Sequence, residues 1–137
     1  MTTNRSMPSS AVIPVLAYRS VPEAVAWLSA VLGATERLRI GTHRVQLRFG
    51  GADFLVRDGG AERVDPSTSV MLRVDDVDAV VERAVAHGGE VTDPARTWEY
   101  GERQASIRDP WGHHWTLSQS VEDVDPASWG GELVDPT

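Results

Sequence analysis

The chain has 137 residues, 41% of them hydrophobic, enough for the core of a single domain (1–137) without metal or disulfide staples. It has no cysteine, which excludes structural disulfides, zinc–thiolate centres and thiol nucleophiles. The formal charge of −7 sits largely in an acidic tail: Glu122, Asp123, Asp125, Glu132 and Asp135 stand without Lys or Arg, which leaves 15 acidic against 13 basic residues elsewhere and argues against a nucleic-acid partner.

The first apolar stretch, Ala11 to Ala17, is short and carries Pro14, so no signal peptide is expected. No window approaches the ~20 apolar residues of a membrane span, and the cytoplasm is the expected compartment. Val12 to Tyr18 reads as a strand. Ser20-Val21-Pro22-Glu23 has the spacing of a capping box, and Val21, Ala24, Val25, Leu28 and Leu32 recur at helical spacing up to Gly33. Thr35–Ile40, His43–Phe49 and Ala52–Arg57 follow as strands separated by Gly41-Thr42 and Gly50-Gly51, and Asp58 to Pro66 links onward.

The same order then returns. Ser69 to Val74 reads as a strand, Asp75 or Asp76 can cap, and Val77, Val80, Val81 and Ala84 form a helical stripe ending at Gly88-Gly89. Glu90–Thr92, Glu102–Arg108 and His114–Gln119 complete the second half, with a turn at Asp109-Pro110-Trp111-Gly112. A shift of 56 residues superposes Val21 on Val77, Val25 on Val81 and Gly33 on Gly89. The expected fold is α+β, two βαβββ modules at about 12–58 and 68–119, followed by the tail 120–137.

Alternation assigns the strand faces. Val45, Leu47 and Phe49, then Val70, Leu72 and Val74, and Trp115 with Leu117 point toward the helices. Gln46, Arg48, Ser69, Met71, Arg73, His114, Thr116 and Ser118 fall on the opposite, polar face, which is either a solvated surface or one that orients an organic ligand.

This doubled arrangement resembles the vicinal oxygen chelate superfamily, which includes glyoxalase I, bleomycin-resistance proteins, fosfomycin-resistance enzymes and extradiol dioxygenases. The resemblance runs over residues 11–119. It rests on Tyr18-Arg19-Ser20-Val21-Pro22-Glu23-Ala24 at the first helix and on Asp109-Pro110-Trp111-Gly112-His113-His114-Trp115-Thr116-Leu117 entering the last strand. It implies an open U-shaped mixed sheet with helices on the convex side, a small organic ligand in the concave side and a homodimer. Metal-using members carry ligands at positions that fall here on Ile13, Ser69, Thr116 and Phe54 or Leu55. None is a carboxylate or imidazole, so neither a metal nor any other cofactor is expected. The remaining route to a metal is a rebuilt site using His114 with Asp53 or Glu102.

The candidate ligand-binding residues are Gln46, Arg48, Phe54, Ser69, Met71, Arg73, Trp98, Tyr100, His114 and Thr116. Trp98 and Tyr100 enter as aromatic walls where the superfamily's pocket opens, whereas Trp27 and Trp115 read as core. Trp129, in a tail too polar to fold alone, predicts that the tail docks on the body or on a partner chain, with disorder as the alternative. Three functions fit. The first is a binding protein that sequesters a hydrophobic or aromatic compound without metal, in the manner of bleomycin resistance. The second is a metal-independent isomerase, epimerase or lyase in which His114 takes a proton and Arg48 or Arg73 holds an oxyanion. The third is an interaction module whose cup its own chain fills.

Overall fold

The computed structural model describes residues 2–60 and 64–134, and the chain divides between Asp65 and Pro66 into two compact units. Module one runs β1 (Val15–Tyr18), α1 (Val21–Leu32), β2 (Thr35–Ile40), β3 (Arg44–Phe49) and β4 (Ala52–Asp58). Module two repeats the order as β5 (Val70–Arg73), α2 (Val77–Ala86), β6 (Glu90–Thr97), β7 (Glu102–Arg108) and β8 (His114–Ser120). Each module forms a four-stranded mixed sheet, ordered β1-β4-β3-β2 and β5-β8-β7-β6, whose first strand lies parallel to its last. The fold is α+β with two βαβββ modules. Residues 61–63 of the expected linker and 135–137 of the tail lie outside the described residues.

Both helices begin where capping chemistry places them. The Ser20 hydroxyl accepts from the Glu23 amide at 3.3 Å, and the Asp76 carboxylate from the Ala79 amide at 3.1 Å, satisfying donors that a helix start leaves free. The ends differ. Gly33 closes α1 at φ 76°, but α2 is two residues shorter, and the left-handed residue after it is Gly88, at φ 85°, rather than Gly89. On the 56-residue shift Gly88 stands where module one has Leu32, so the second helix stops a step early.

Two strand boundaries depart from expectation. β1 starts at Val15, because Pro14 has no N–H for a ladder; its carbonyl accepts from the Leu55 amide at 2.9 Å. β6 runs to Thr97 rather than Thr92, with Pro94 inside it. It is an edge strand, and the register shifts between Val91 and Asp93 and again between Asp93 and Arg96, which is how an edge accommodates a proline.

The core of each module lies between helix and sheet. In module one Ala24, Leu28 and Val31 are buried with Val45, Leu47 and Val56; in module two Val77, Val80 and Ala84 are buried with Ile107, Trp115 and Leu117. Each fully buried aliphatic side chain contributes about 1.5–3 kcal/mol. An ion pair between Arg103 of β7 and Asp78 in the first turn of α2, at 2.9 Å, adds a tie on the helix side of module two. It holds the Asp78 carboxyl below its ordinary range.

Candidate functional site

The polar face of module two is continuous across its sheet. Cross-strand partners share a face, so pairing of Met71 with Thr116, Thr116 with Ser106 and Ser106 with Asp93 makes one row. Arg73, Ser118, Gln104 and Arg96 make the next. Alternation assigns Met71 and Arg73 of β5 and Thr116 and Ser118 of β8 to this side. The same parity in β7, where Ala105 and Ile107 are buried, adds Gln104 and Ser106, which the sequence reading missed.

Hydrogen bonds hold this face in shape. Tyr100 Oη donates to Gln104 Oε1 at 2.9 Å, Gln104 Nε2 donates to Ser118 Oγ at 3.0 Å, and Ser118 Oγ donates to Glu102 Oε1 at 2.7 Å. Bonds from Ser120 and Ser118 hold the Glu102 carboxyl below its ordinary value, helped by Arg73 3.9 Å away and opposed by partial burial. The hydroxyls of Ser106 and Thr116 stand 3.4 Å apart, and Thr116 reaches Ser69 at 3.5 Å, the outer limit of hydrogen bonding.

A groove of about 420 Å³ opens on this face, within the 300–1,000 Å³ range of small-molecule sites. Gln104, Ser106 and Thr116 supply polar groups to its lining, and Pro94, Ala95 and Arg96 of β6, with Trp98 just beyond it, supply the wall. The Arg96 guanidinium lies over the Trp98 ring, 3.4 Å from its centroid; Trp98 stacks on Tyr100 at 5.8 Å, and Tyr100 meets Trp129 at 5.3 Å. The tail therefore docks on its own module, through a 3-10 turn at Pro126–Trp129 and through the Val121 amide, which donates to the Gly101 carbonyl at 2.9 Å. Gly101, at φ 85°, permits this approach, because a Cβ there would stand 2.2 Å from the Glu122 carbonyl oxygen.

Module one treats its equivalent face differently. Gln46, 3% exposed, accepts from Arg37 and donates to the Ser6 carbonyl at 2.8 Å; Ser10 donates to Asp53 at 3.0 Å, and Pro8 between them is buried. The chain's own N-terminal segment thus covers this face. Arg48 lies 3.5 Å from Asp53. Phe54 is a correction to the candidate set: it pairs with Leu47 and is 4% exposed, on the helix side, while its neighbour Leu55 shares the polar face with Gln46. One residue of register separates the two.

The candidate catalytic groups do not assemble within module two. His114 opens β8 and Arg73 pairs with Ser118, four residues along, or roughly 13 Å at the rise of a strand. Arg73 is also held by Ser120 and Glu102. Glu102 pairs with Ser120, six residues from His114, or roughly 20 Å, so these two cannot share a metal. Among the described residues no three His, Asp or Glu side chains come together as a metal site. Ser69 and Thr116 offer only neutral hydroxyls at 3.5 Å from each other, a donor set that does not fit a divalent cation.

The turn before β8 explains its motif. Asp109, 3% exposed, accepts from the amides of Trp111 at 3.1 Å and His113 at 3.0 Å and from the Trp115 indole at 3.1 Å. Its carboxylate locks the turn to the core, and His113 takes part through its backbone. A model of the glyoxalase/bleomycin resistance protein/dioxygenase superfamily matches residues 12–117. The chain belongs to this superfamily.

Two solved structures share this fold. TioX from Micromonospora sp. ML1 is 30% identical, with a TM-score of 0.66 over 85% of this chain and 100% of that one. The fosfomycin resistance protein FosX from Listeria monocytogenes superposes at a TM-score of 0.68 over 82% of this chain and 94% of that one, but at 20% identity it shares the fold alone. An uncharacterized protein of Mycobacterium bovis is 31% identical over 90 residues, which are 58% of this superfamily chain and 59% of that protein. The chain thus spans little more than half the length of that curated relative.

Proposed function

We propose that this protein binds a hydrophobic or aromatic small molecule in the module-two groove and sequesters it without a metal, as a cytoplasmic homodimer. The observation that carries the reading is the composition of the groove. Trp98, with Arg96 over its ring, stands on one side of the groove, and Gln104, Ser106 and Thr116 present neutral donors and acceptors across from it, a combination that orients an organic ligand. The hydroxyls of Ser69 and Thr116, where metal-using superfamily members carry ligands, point the same way. The dimer rests on the superfamily resemblance. No helix among the described residues is long and apolar enough to cross a membrane.

Of the other candidates, Ser69 stands beside Thr116 at the groove, and Tyr100 backs Trp98. Met71, 61% exposed, and Arg73 lie on the same sheet face farther toward β5. The alternative, a metal-independent isomerase, epimerase or lyase, needs a base and a cation at one centre, and the spacing of His114 and Arg73 weighs against that pair.

Isothermal titration of the full chain with naphthalene-2-carboxamide, and separately with manganese and zinc, tests the proposal. Saturable binding of the amide that Trp98→Ala weakens supports it. Tight stoichiometric binding of either metal overturns its metal-free part, and binding of neither the amide nor the corresponding naphthalene-2-carboxylate overturns the site. Light scattering across a concentration series tests the dimer.

A further inference from the structure

Arg96 is the cation of the groove, and its setting differs from that of the other arginines on the sheet of module two. Arg73 and Arg103 each have a carboxylate within ion-pair distance, and Arg108 pairs with Glu90. Among the described residues Arg96 has none; it is exposed, and its side chain stacks on the Trp98 ring. A guanidinium carries its N–H donors in its own plane, so stacking on an indole orients the plane and leaves the donor edge free. The Trp98 ring is itself backed by Tyr100, whose hydroxyl is fixed on Gln104, and Tyr100 is backed by Trp129. The cation is thus held at the rim of a ligand-sized groove with its bonding edge unoccupied by protein.

We propose that the groove selects a planar compound bearing a carboxylate, with the acid received by the Arg96 edge and the ring system lying across the groove floor toward Ser106 and Thr116. This rests on the binding function proposed above and adds the class of ligand. A carboxylate matches the two parallel donors of a guanidinium, and charge-assisted bonds of this kind exceed neutral ones. Asp93 lines the same groove on the same strand, so the acid belongs at the Arg96–Trp98 end, and a second acidic group near Asp93 would be repelled. The chain's formal charge of −7 gives an anion no general attraction, so any preference for an acid has to come from a local cation.

The test compares two probes of one shape, naphthalene-2-carboxylate and naphthalene-2-carboxamide, titrated into the full chain at pH 7. The expected result is a preference for the acid of about tenfold, the difference between a charge-assisted and a neutral hydrogen bond. Arg96→Gln should abolish the preference for the acid, and Arg96→Lys should restore only part of it, since an ammonium lacks the planar fork. Equal affinity for the two probes in the unmodified chain, or a preference that survives Arg96→Gln, overturns the inference and leaves the binding function standing. Binding of neither probe overturns both. Arg96 is exposed on an edge strand, so its variants should fold, and a thermal melt of each verifies this.

Discussion

The two modules share one plan and use their polar faces in opposite ways. In module one the segment Arg5 to Ser10 lies across the face and bonds to it: Gln46 is bonded to Ser6 and Arg37, and Asp53 to Ser10. In module two the tail leaves the sheet after β8 and docks at its end, on Tyr100 and Gly101, so the rows through Thr116 and Ser118 keep an open groove. A duplicated unit can thus be closed by its flanking chain on one copy and left available on the other. The difference arises from where each flanking segment finds partners, not from the strands themselves.

The largest effect should follow from Trp115→Ala. The ring is fully buried in module two and its indole donates to Asp109, so truncation should cost about 3–5 kcal/mol, read from urea unfolding. Near-native stability would show that the Asp109 turn does not anchor this module. Removal of residues 1–10 addresses module one directly. It should cost about 1–3 kcal/mol and accelerate amide exchange in β3 and β4 but not in β7 and β8. If exchange in β3 and β4 is unchanged, the segment does not cover that face.

A subtler contrast concerns Glu102, whose hydroxyl bonds support the open face of module two. Its carboxyl is lowered from the ordinary 4.5 in the folded state, so it adds stability above about pH 4.5 that is lost as the pH falls through the lowered value. Glu102→Gln should therefore be less stable than the unmodified chain at pH 7, and the gap should close toward pH 3 in thermal melts. A gap independent of pH would mean that the carboxylate's charge is not what matters. The smallest effect is expected from Arg39→Ala. It breaks an exposed ion pair with Glu36 on the helix side of module one and should leave the midpoint of urea unfolding unchanged.

Much of the fold was legible because its signals are local. Ser20 and Asp76 mark helix starts by the reach of a short oxygen to an amide three residues on, and the period of the apolar residues orients each helix. The site was legible only by parity. Alternation placed Thr116 and Met71 on one face, but the same reasoning stopped at Thr92 because Pro94 resembles a strand end, and so Arg96 was missed. Phe54 was misplaced by one residue, since a turn's length does not by itself set the register across it.

What the linear chain decides here is what depends on neighbours a few residues apart: two βαβββ units, their caps, their buried faces and the absence of carboxylate or imidazole at the inherited ligand positions. What only the tertiary structure decides depends on residues distant in the chain. Ser6 meeting Gln46 closes one face, and Tyr100 meeting Trp129 and Gln104 shapes the other. The physical reason is that period and capping are properties of backbone geometry over one or two turns, whereas a groove is defined by which segments happen to cover it.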